Sequence, residues 1–374
     1  MKILVTGAKG FVGKNLIAEL KNKDYTDILE FDKDTDKALL GQYAKECEFV
    51  FHLAGVNRPK EKQEFMEGNF GFTSELLGLL KKNNNKAPVL ITSSIQASKN
   101  NAYGVSKKAS EDLLFKYSME TGAKVLVYRL ANLFGKWSRP NYNTVVATFC
   151  NNVASGNDIT ISNPDVNLKL CYIDDVLDEF MRALSGNESK KDGYCFVPIA
   201  HSIKVGELAQ RINSFRKSRT DLSIPNMEDE LTKKLYSTYL SFLPVDKFSY
   251  ELKMNKDNRG SFTEFIRTNG SGQVSINVSK PGITKGNHWH NTKNEKFMVV
   301  SGEGLIRFRN INVEHINSDE IIEYKVNAEK LEVVDIPIGY THSITNIGQS
   351  DLVTVMWVNE CFDPEKPDTF YLEV

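Results

Sequence analysis

Gly282 to Gly302, GITKGNHWHNTKNEKFMVVSG, constrains this chain more than any other stretch. It sets His288 and His290 one residue apart, then Glu295, then the apolar run Phe297-Met298-Val299-Val300. In an extended strand residues i and i+2 share a side, so both imidazoles can point inward together. A third histidine arrives in Pro337-Ile-Gly339-Tyr-Thr-His342, where Pro-x-Gly turns the chain just ahead of it. Imidazole nitrogens with a carboxylate oxygen form a ligand set that suits Zn, Fe, Mn or Ni. His288, His290, Glu295 and His342 are therefore the candidate metal ligands. The alternative is that they are strand histidines with satisfied core hydrogen bonds.

The spacing resembles the two motifs of the cupin superfamily. The first, G-x5-H-x-H-x4-E-x6-G, is met at Gly282, His288, His290, Glu295 and Gly302. The second, G-x5-P-x-G-x2-H-x3-N, is met at Pro337, Gly339, His342 and Asn346, with Leu331 in place of its opening glycine. From Ser261 the chain runs in short alternating segments, among them 273–278, 297–300, 304–308, 331–336 and 351–358, with Gly, Asn and Asp at the breaks. Many short strands at regular spacing argue a sandwich or barrel. The resemblance implies an all-β cupin, a double-stranded β-helix barrel with a metal in its mouth. That metal would be Zn2+ or another divalent transition ion.

A length of 374 residues allows two or three domains. A formal net charge of −1 leaves no basic footprint for nucleic acid and no polybasic membrane patch. No apolar run approaches the roughly 18 residues a membrane helix needs. The start, MKILVTG, enters a strand pattern at once, against a signal peptide. Five scattered cysteines without a C-x-x-C pair fit a reducing compartment. The expected location is the cytoplasm.

At the N-terminus a buried-strand run, Lys2 to Thr6, leads into Gly7-Ala-Lys-Gly10-Phe11-Val-Gly13 and a helical pattern. G-x-x-G-x-x-G between strand and helix opens a dinucleotide site, because the glycines let backbone N–H groups approach a pyrophosphate. A second strand ends at Asp32, placed to accept from a ribose 2′-hydroxyl, and Lys33 beside it is placed to meet a 2′-phosphate. NAD and NADP both stay open on these residues. A third strand, Phe49 to Leu53, precedes the loop from Ala54 to Pro59, and a helical stretch runs from about Glu61 to Lys81. Val89-Leu-Ile91 ends in Thr92-Ser93-Ser94, which puts hydroxyls at the carboxyl edge where open α/β sheets bind ligands.

Tyr103-Gly-Val-Ser-Lys107 puts a phenol and an ammonium one helical turn apart. A nearby ammonium favours the phenolate, which makes the tyrosine a workable acid or base near neutrality. With Asn69…Gly71…Thr73, Arg129…Asn132…Gly135 and Tyr172…Asp175-Val176, these residues resemble the extended short-chain dehydrogenase/reductase superfamily. That resemblance implies a Rossmann-type, doubly wound parallel α/β sheet. By position it makes Tyr103 the catalytic acid/base, Lys107 its partner and Ser94 the hydroxyl that orients a carbonyl, with Ser93 competing. Gly7, Gly10, Phe11, Gly13, Asp32, Lys33, Ala54 and Lys107 become the cofactor residues. Only eight residues separate Ser94 from Tyr103, short for the superfamily. SGNESKKDG, 185–193, reads as a polar surface loop.

The two halves together resemble a family of bifunctional capsular-polysaccharide enzymes of the UDP-N-acetyl-L-fucosamine route. Gly55-Val-Asn-Arg-Pro59, Asn132-Leu-Phe-Gly-Lys-Trp137, Lys280 to His290 and Pro367-Asp368 carry that likeness. It implies a reductase over residues 1–250 and a metal cupin over 251–374. The substrate would be a UDP-linked 2-acetamido-4-keto-6-deoxyhexose, epimerised at C3 and reduced at C4 with NADPH (NADH being possible), in a zinc-containing homodimer. Lys285 and Tyr340 flank the ligand segments and are candidates for proton transfer at C3. The alternative is a single-activity reductase whose cupin binds sugar or mediates assembly.

Overall fold

The computed structural model of the chain describes residues 1–268, 270–311, 320–361 and 363–374. It divides into two compact units, Met1–Asn213 with Glu230–Pro244, and Ser214–Asp229 with Val245–Val374. The first begins β1 (Ile3–Thr6), α1 (Phe11–Asn22), β2 (Ile28–Phe31), α2 (Lys37–Glu46), β3 (Phe49–His52). A helical stretch follows, made of α3 (Gln63–Phe65), a π turn (Met66–Gly71) and α4 (Phe72–Lys82). Next come β4 (Val89–Ser94), α5 (Ala102–Thr121), β5 (Val125–Leu130), β6 (Asn132–Phe134), α6 (Val145–Ser155), β7 (Asn167–Tyr172) and α7 (Ile173–Leu184). The short strands β8 (Lys190–Lys191), β9 (Tyr194–Cys195) and β10 (His201–Lys204) precede α8 (Val205–Lys217), and α9 (Glu230–Leu240) ends the run.

The main sheet has the order β2-β1-β3-β4-β5-β9-β8 and is parallel from β2 to β9. Its central strands β1, β3, β4 and β5 are buried on both faces. Ile3, Val5, Phe51, Leu126 and Phe180 pack on one side, and Leu4, Val50, Leu76, Leu114 and Val127 on the other. This is the doubly wound sheet that near-continuous apolar strands require. Strand order reverses between β1 and β3, so the loop after β1 opens on the crevice where such sheets bind dinucleotides.

Two segments differ from the sequence expectation. The polar stretch 185–193 is partly sheet, because the buried Glu179 carboxylate accepts from the Ser189 N–H at 2.6 Å and from the Tyr128 hydroxyl at 2.9 Å. A buried carboxylate needs such donors, and meeting them draws the loop against β5. The helix expected over about 61–81 contains the π turn, whose Asn69 side chain bonds Val56 through both its N–H, at 2.9 Å, and its carbonyl, at 3.2 Å.

The second unit is all-β. It holds β11 (Ser223–Ile224), β12 (Met254–Asp257), β13 (Gly260–Thr268), β14 (Gly272–Ser279), β15 (Thr284–Trp289) and β16 (Glu295–Ser301). After them come β17 (Glu303–Asn310), β18 (Ile321–Asn327), β19 (Val333–Ile336), β20 (Tyr340–Asn346), β21 (Leu352–Val358) and β22 (Phe370–Tyr371). One sheet runs β11-β13-β14-β21-β16-β19 with β12 added on β13, and the other runs β18-β17-β20-β15-β22. Phe297, Val299, Ile306, Phe308, Val326 and Ile344 form the apolar core between them. The architecture is the double-stranded β-helix of cupins.

Phe180 is fully buried against Phe51 and Tyr128. Phe180→Ala is expected to destabilise the first unit by about 3–5 kcal/mol through the cavity it leaves, read as a lower urea midpoint for that unit.

Candidate functional site

The loop after β1 is shaped by what its glycines exclude. Gly7 has φ +69°, and a Cβ there would sit 2.7 Å from the Ala54 nitrogen. At Gly13 a Cβ would meet the Gly7 carbonyl oxygen at 2.2 Å. Helix α1 then starts at Phe11 with Gly10 as its cap and no side chain capping it. Such a bare helix start suits a pyrophosphate. Asp32 is tied to this loop, accepting from the backbone N–H of Lys9 and of Lys33, both at 2.8 Å. Lys33 is exposed beside it.

The short segment between Ser94 and Tyr103 is closed by local capping. The Ser94 hydroxyl accepts from the Gln96 N–H at 3.1 Å, and the Asn101 carbonyl oxygen accepts from the Gly104 N–H at 2.8 Å to start α5. Burial raises the Tyr103 phenol above its ordinary pKa, and the Ser94 hydroxyl pulls it back. Ser93 faces elsewhere, donating to Glu111 at 2.6 Å. The two serines therefore divide their work, one toward Tyr103 and one into the core.

Lys107 is buried, lies 5.9 Å from the centre of the Tyr103 ring, and donates to the Thr92 carbonyl at 3.1 Å. Burial lowers its ammonium to about 8, while Glu111 pushes the other way. Gly55 leaves room for it, since a Cβ there would stand 2.9 Å from both the Lys107 Nζ and the Asn69 Oδ1. Glu111 is itself fully buried and holds Arg129 through both oxygens, at 2.9 and 2.6 Å. His52, which sequence reasoning passed over, is locked between Thr6 at 2.8 Å and Thr73 at 2.9 Å. Burial first, and then Lys107, lowers it to about 3, so it stays neutral.

In the second unit the four candidate ligands come together. One ligand atom from each of His288, His290, Glu295 and His342 lies within 4.8 Å of the others. His290 Nε2, Glu295 Oε2 and both ring nitrogens of His342 are buried without a hydrogen-bond partner. Core histidines at strand positions would have found partners, because an orphaned buried polar atom costs about 1–3 kcal/mol. Three imidazoles and one carboxylate converging, with unsatisfied atoms on His290, Glu295 and His342, fit a divalent transition metal. Burial would raise the Glu295 carboxyl, but His290 and His342 outweigh it and hold it well below the carboxylate range. Burial lowers His288 to about 4, which keeps it in the neutral form that ligates.

Asp368 organises this cluster from the far end of the chain. Its backbone carbonyl meets His290 Nδ1 at 2.6 Å, which leaves Nε2 for the centre of the cluster. Its carboxylate accepts the backbone N–H groups of Asn291 at 3.1 Å, Thr292 at 2.9 Å and Lys293 at 2.9 Å. Pro367-Asp368 was visible in the sequence as a likeness, yet nothing local marked it as the support of a histidine 78 positions earlier.

Asp368→Ala keeps the backbone carbonyl on His290 but removes the carboxylate that anchors the 291–293 loop, so metal affinity is expected to fall by about 10-fold, the lower end of an outer-support loss. Competition with a chelating dye would measure it, and His342→Ala should lose stoichiometric metal altogether.

Residues 3–197 match the NAD dependent epimerase/dehydratase family, and residues 255–370 match the polysaccharide biosynthesis C-terminal domain. The UDP-2-acetamido-2,6-beta-L-arabino-hexul-4-ose reductase of Pseudomonas aeruginosa is 44% identical, covering 100% of this chain and 99% of that protein. The capsular polysaccharide assembling protein CapF of Staphylococcus aureus is 51% identical, with a TM-score of 0.94 and full coverage of both chains. UDP-glucose 4-epimerase of Thermotoga maritima is similar in fold, at 19% identity and a TM-score of 0.54 over 65% of this chain and 98% of that one.

Proposed function

The chain belongs to the NAD dependent epimerase/dehydratase family, and we propose that it is a bifunctional nucleotide-sugar enzyme. On this reading the cupin epimerises C3 of a UDP-2-acetamido-2,6-dideoxy-4-hexulose. The reductase unit then reduces the C4 ketone with NADPH to UDP-2-acetamido-2,6-dideoxy-L-talose, on the route to UDP-N-acetyl-L-fucosamine. The protein works as a cytoplasmic homodimer. The observation that carries this reading is the pairing, in one chain, of Tyr103 against Ser94 with a converging His3Glu cluster in which His290, Glu295 and His342 hold unpartnered buried atoms.

A C4 ketone links the two activities. It acidifies the proton on C3, and it is itself the group that accepts a hydride. In the reductase unit Ser94 holds the ketone oxygen and Tyr103 gives it a proton. Lys107 stands buried beside Gly55 and Asn69, 5.9 Å from the centre of the Tyr103 ring. The bound nicotinamide supplies the hydride. In the cupin, His288, His290, Glu295 and His342 would hold Zn2+, whose chemistry there is Lewis-acid polarisation of a carbonyl. No helix among the described residues is long and apolar enough to cross a membrane.

A second reading keeps only the reductase and makes the barrel a sugar-binding module. The reductase name of the Pseudomonas relative favours it.

Site variants separate the two. Tyr103→Phe should lower C4 reduction by about 10²–10⁴-fold, the usual worth of a positioned acid, and leave C3 exchange intact. His290→Ala should lose metal and C3 exchange while NADPH oxidation on an already epimerised ketone continues. Loss of both activities from either change in a folded protein would overturn the division between two sites.

A further inference from the structure

The wall of the cupin cavity departs from the usual alternation of strands. Along β14 the buried positions are polar, Gln273, Ser275, Asn277 and Ser279, while Val274, Ile276 and Val278 are half-exposed. Apolar-in is the rule for a strand that covers a core. Polar-in marks a strand that lines a site. The cavity it borders measures about 1290 Å³ and is lined by Gln273, Ser275 and Asn277 together with the four-ligand cluster and Lys285.

Lys285 reaches that interior because of a bulge. By simple alternation Lys285 and His288, three residues apart on β15, would face opposite sides. The ladder shows otherwise, since Lys285 pairs with Ile344 and His288 pairs with His342, with the register slipping between Gly286 and His288. Ile344 and His342 are two apart on β20 and share a face, so their partners share it too. Gly286 at φ +99° and Asn287 at φ +59° absorb the extra residue, and a Cβ on Gly286 would meet the His342 carbonyl oxygen at 2.8 Å. Bulges of this kind re-aim side chains beside active sites.

The amine is also held in an orientation. Lys285 Nζ donates to Asn277 Oδ1 at 2.7 Å and to the Val278 carbonyl at 2.8 Å. The Asn277 amide nitrogen bonds Ser279 at 3.3 Å, which fixes the carbonyl end toward the lysine. A neutral amine has two N–H groups and one lone pair. Two acceptors take the N–H groups and leave the lone pair to the cavity. Burial lowers this ammonium below its ordinary value, with Asp257 opposing and Arg259 assisting, and among the described residues no carboxylate pairs with it. Tyr340, the other candidate, packs against the apolar core, where its hydroxyl is bonded by Asn310 at 3.3 Å.

We propose that Lys285 is the catalytic base of the cupin, taking the C3 proton of the 4-keto sugar on its Nζ. The inference rests on the epimerase reading given above. The C3–H bond breaks, its electron pair forms the C3=C4 double bond, and the carbonyl pair moves to O4, leaving an enolate and a lysine ammonium. A proton from water adds to the opposite face of C3 and restores the ketone with inversion. Lys285 returns its proton to water, and nothing is oxidised or reduced.

The test uses the full chain with the UDP-4-keto sugar in D2O without NADPH, reading deuterium at C3 by NMR and bound metal by elemental analysis. Lys285→Ala should lose exchange by at least about 10²-fold with metal content unchanged, and added ethylamine should restore part of it. Lys285→Arg keeps donors for Asn277 and Val278 but cannot give up its proton, so it too should lose exchange while keeping metal. It serves as the deciding variant if the alanine protein does not fold. Exchange at the parental rate in either folded variant would overturn the assignment and leave the epimerase standing. No exchange in the parent protein would overturn both.

Discussion

Four polar side chains are crowded within 4.8 Å in the second unit, and in three of them, His290, Glu295 and His342, buried atoms have no hydrogen-bond partner. Folding does not ordinarily tolerate this, because each orphaned buried atom forfeits its hydration for nothing. The surrounding features follow from that demand. Asp368 anchors the 291–293 loop with its carboxylate and pins His290 with its backbone. Phe297 and Phe308 pack their rings near His342 and close the apolar side. The bulge at Asn287 brings Lys285 round to the same face as His288. The first unit solves a similar problem with different means. Its buried charges are compensated directly, Lys107 by the Thr92 carbonyl and Glu111 by the half-buried Arg129.

Much of this was legible in the chain. The convergence of His288, His290, Glu295 and His342 could be read because strand parity and motif spacing are local properties, and the four side chains do meet. The glycine turn could be read because Gly7, Gly10 and Gly13 stand between a strand and a helix pattern, and Cβ atoms at Gly7 and Gly13 would collide with backbone. What escaped reading was set by tertiary contacts. Asp368 acts across 78 residues. The different surroundings of the two serines come from Glu111, a residue 18 positions beyond Ser93, which takes that hydroxyl while Ser94 bonds toward Tyr103. The π turn at Asn69 exists because that side chain must satisfy both backbone groups of Val56, and helix periodicity carries no sign of it. The bulge at Asn287 was equally hidden, since a single added residue inverts the parity on which strand reading depends.

On the proposed reading, both units exploit one carbonyl. Its acidifying effect belongs to the cupin and its electrophilicity to the reductase, so each site needs only one demanding step. On that reading the tyrosine and serine of the reductase unit serve the ketone oxygen, and the polar face of β14 that borders the cupin cavity faces the sugar. The two sets of groups do not overlap in sequence or in unit.

The most direct measurement follows both hydrogens in one product. The UDP-4-keto sugar is turned over by the full chain in D2O with unlabelled NADPH, and the product is read by NMR at C3 and C4. Deuterium is expected at C3, drawn from solvent, and protium at C4, drawn from the nicotinamide. Protium at both positions would mean reduction without epimerisation, and would contradict the assignment of a catalytic role to the cupin.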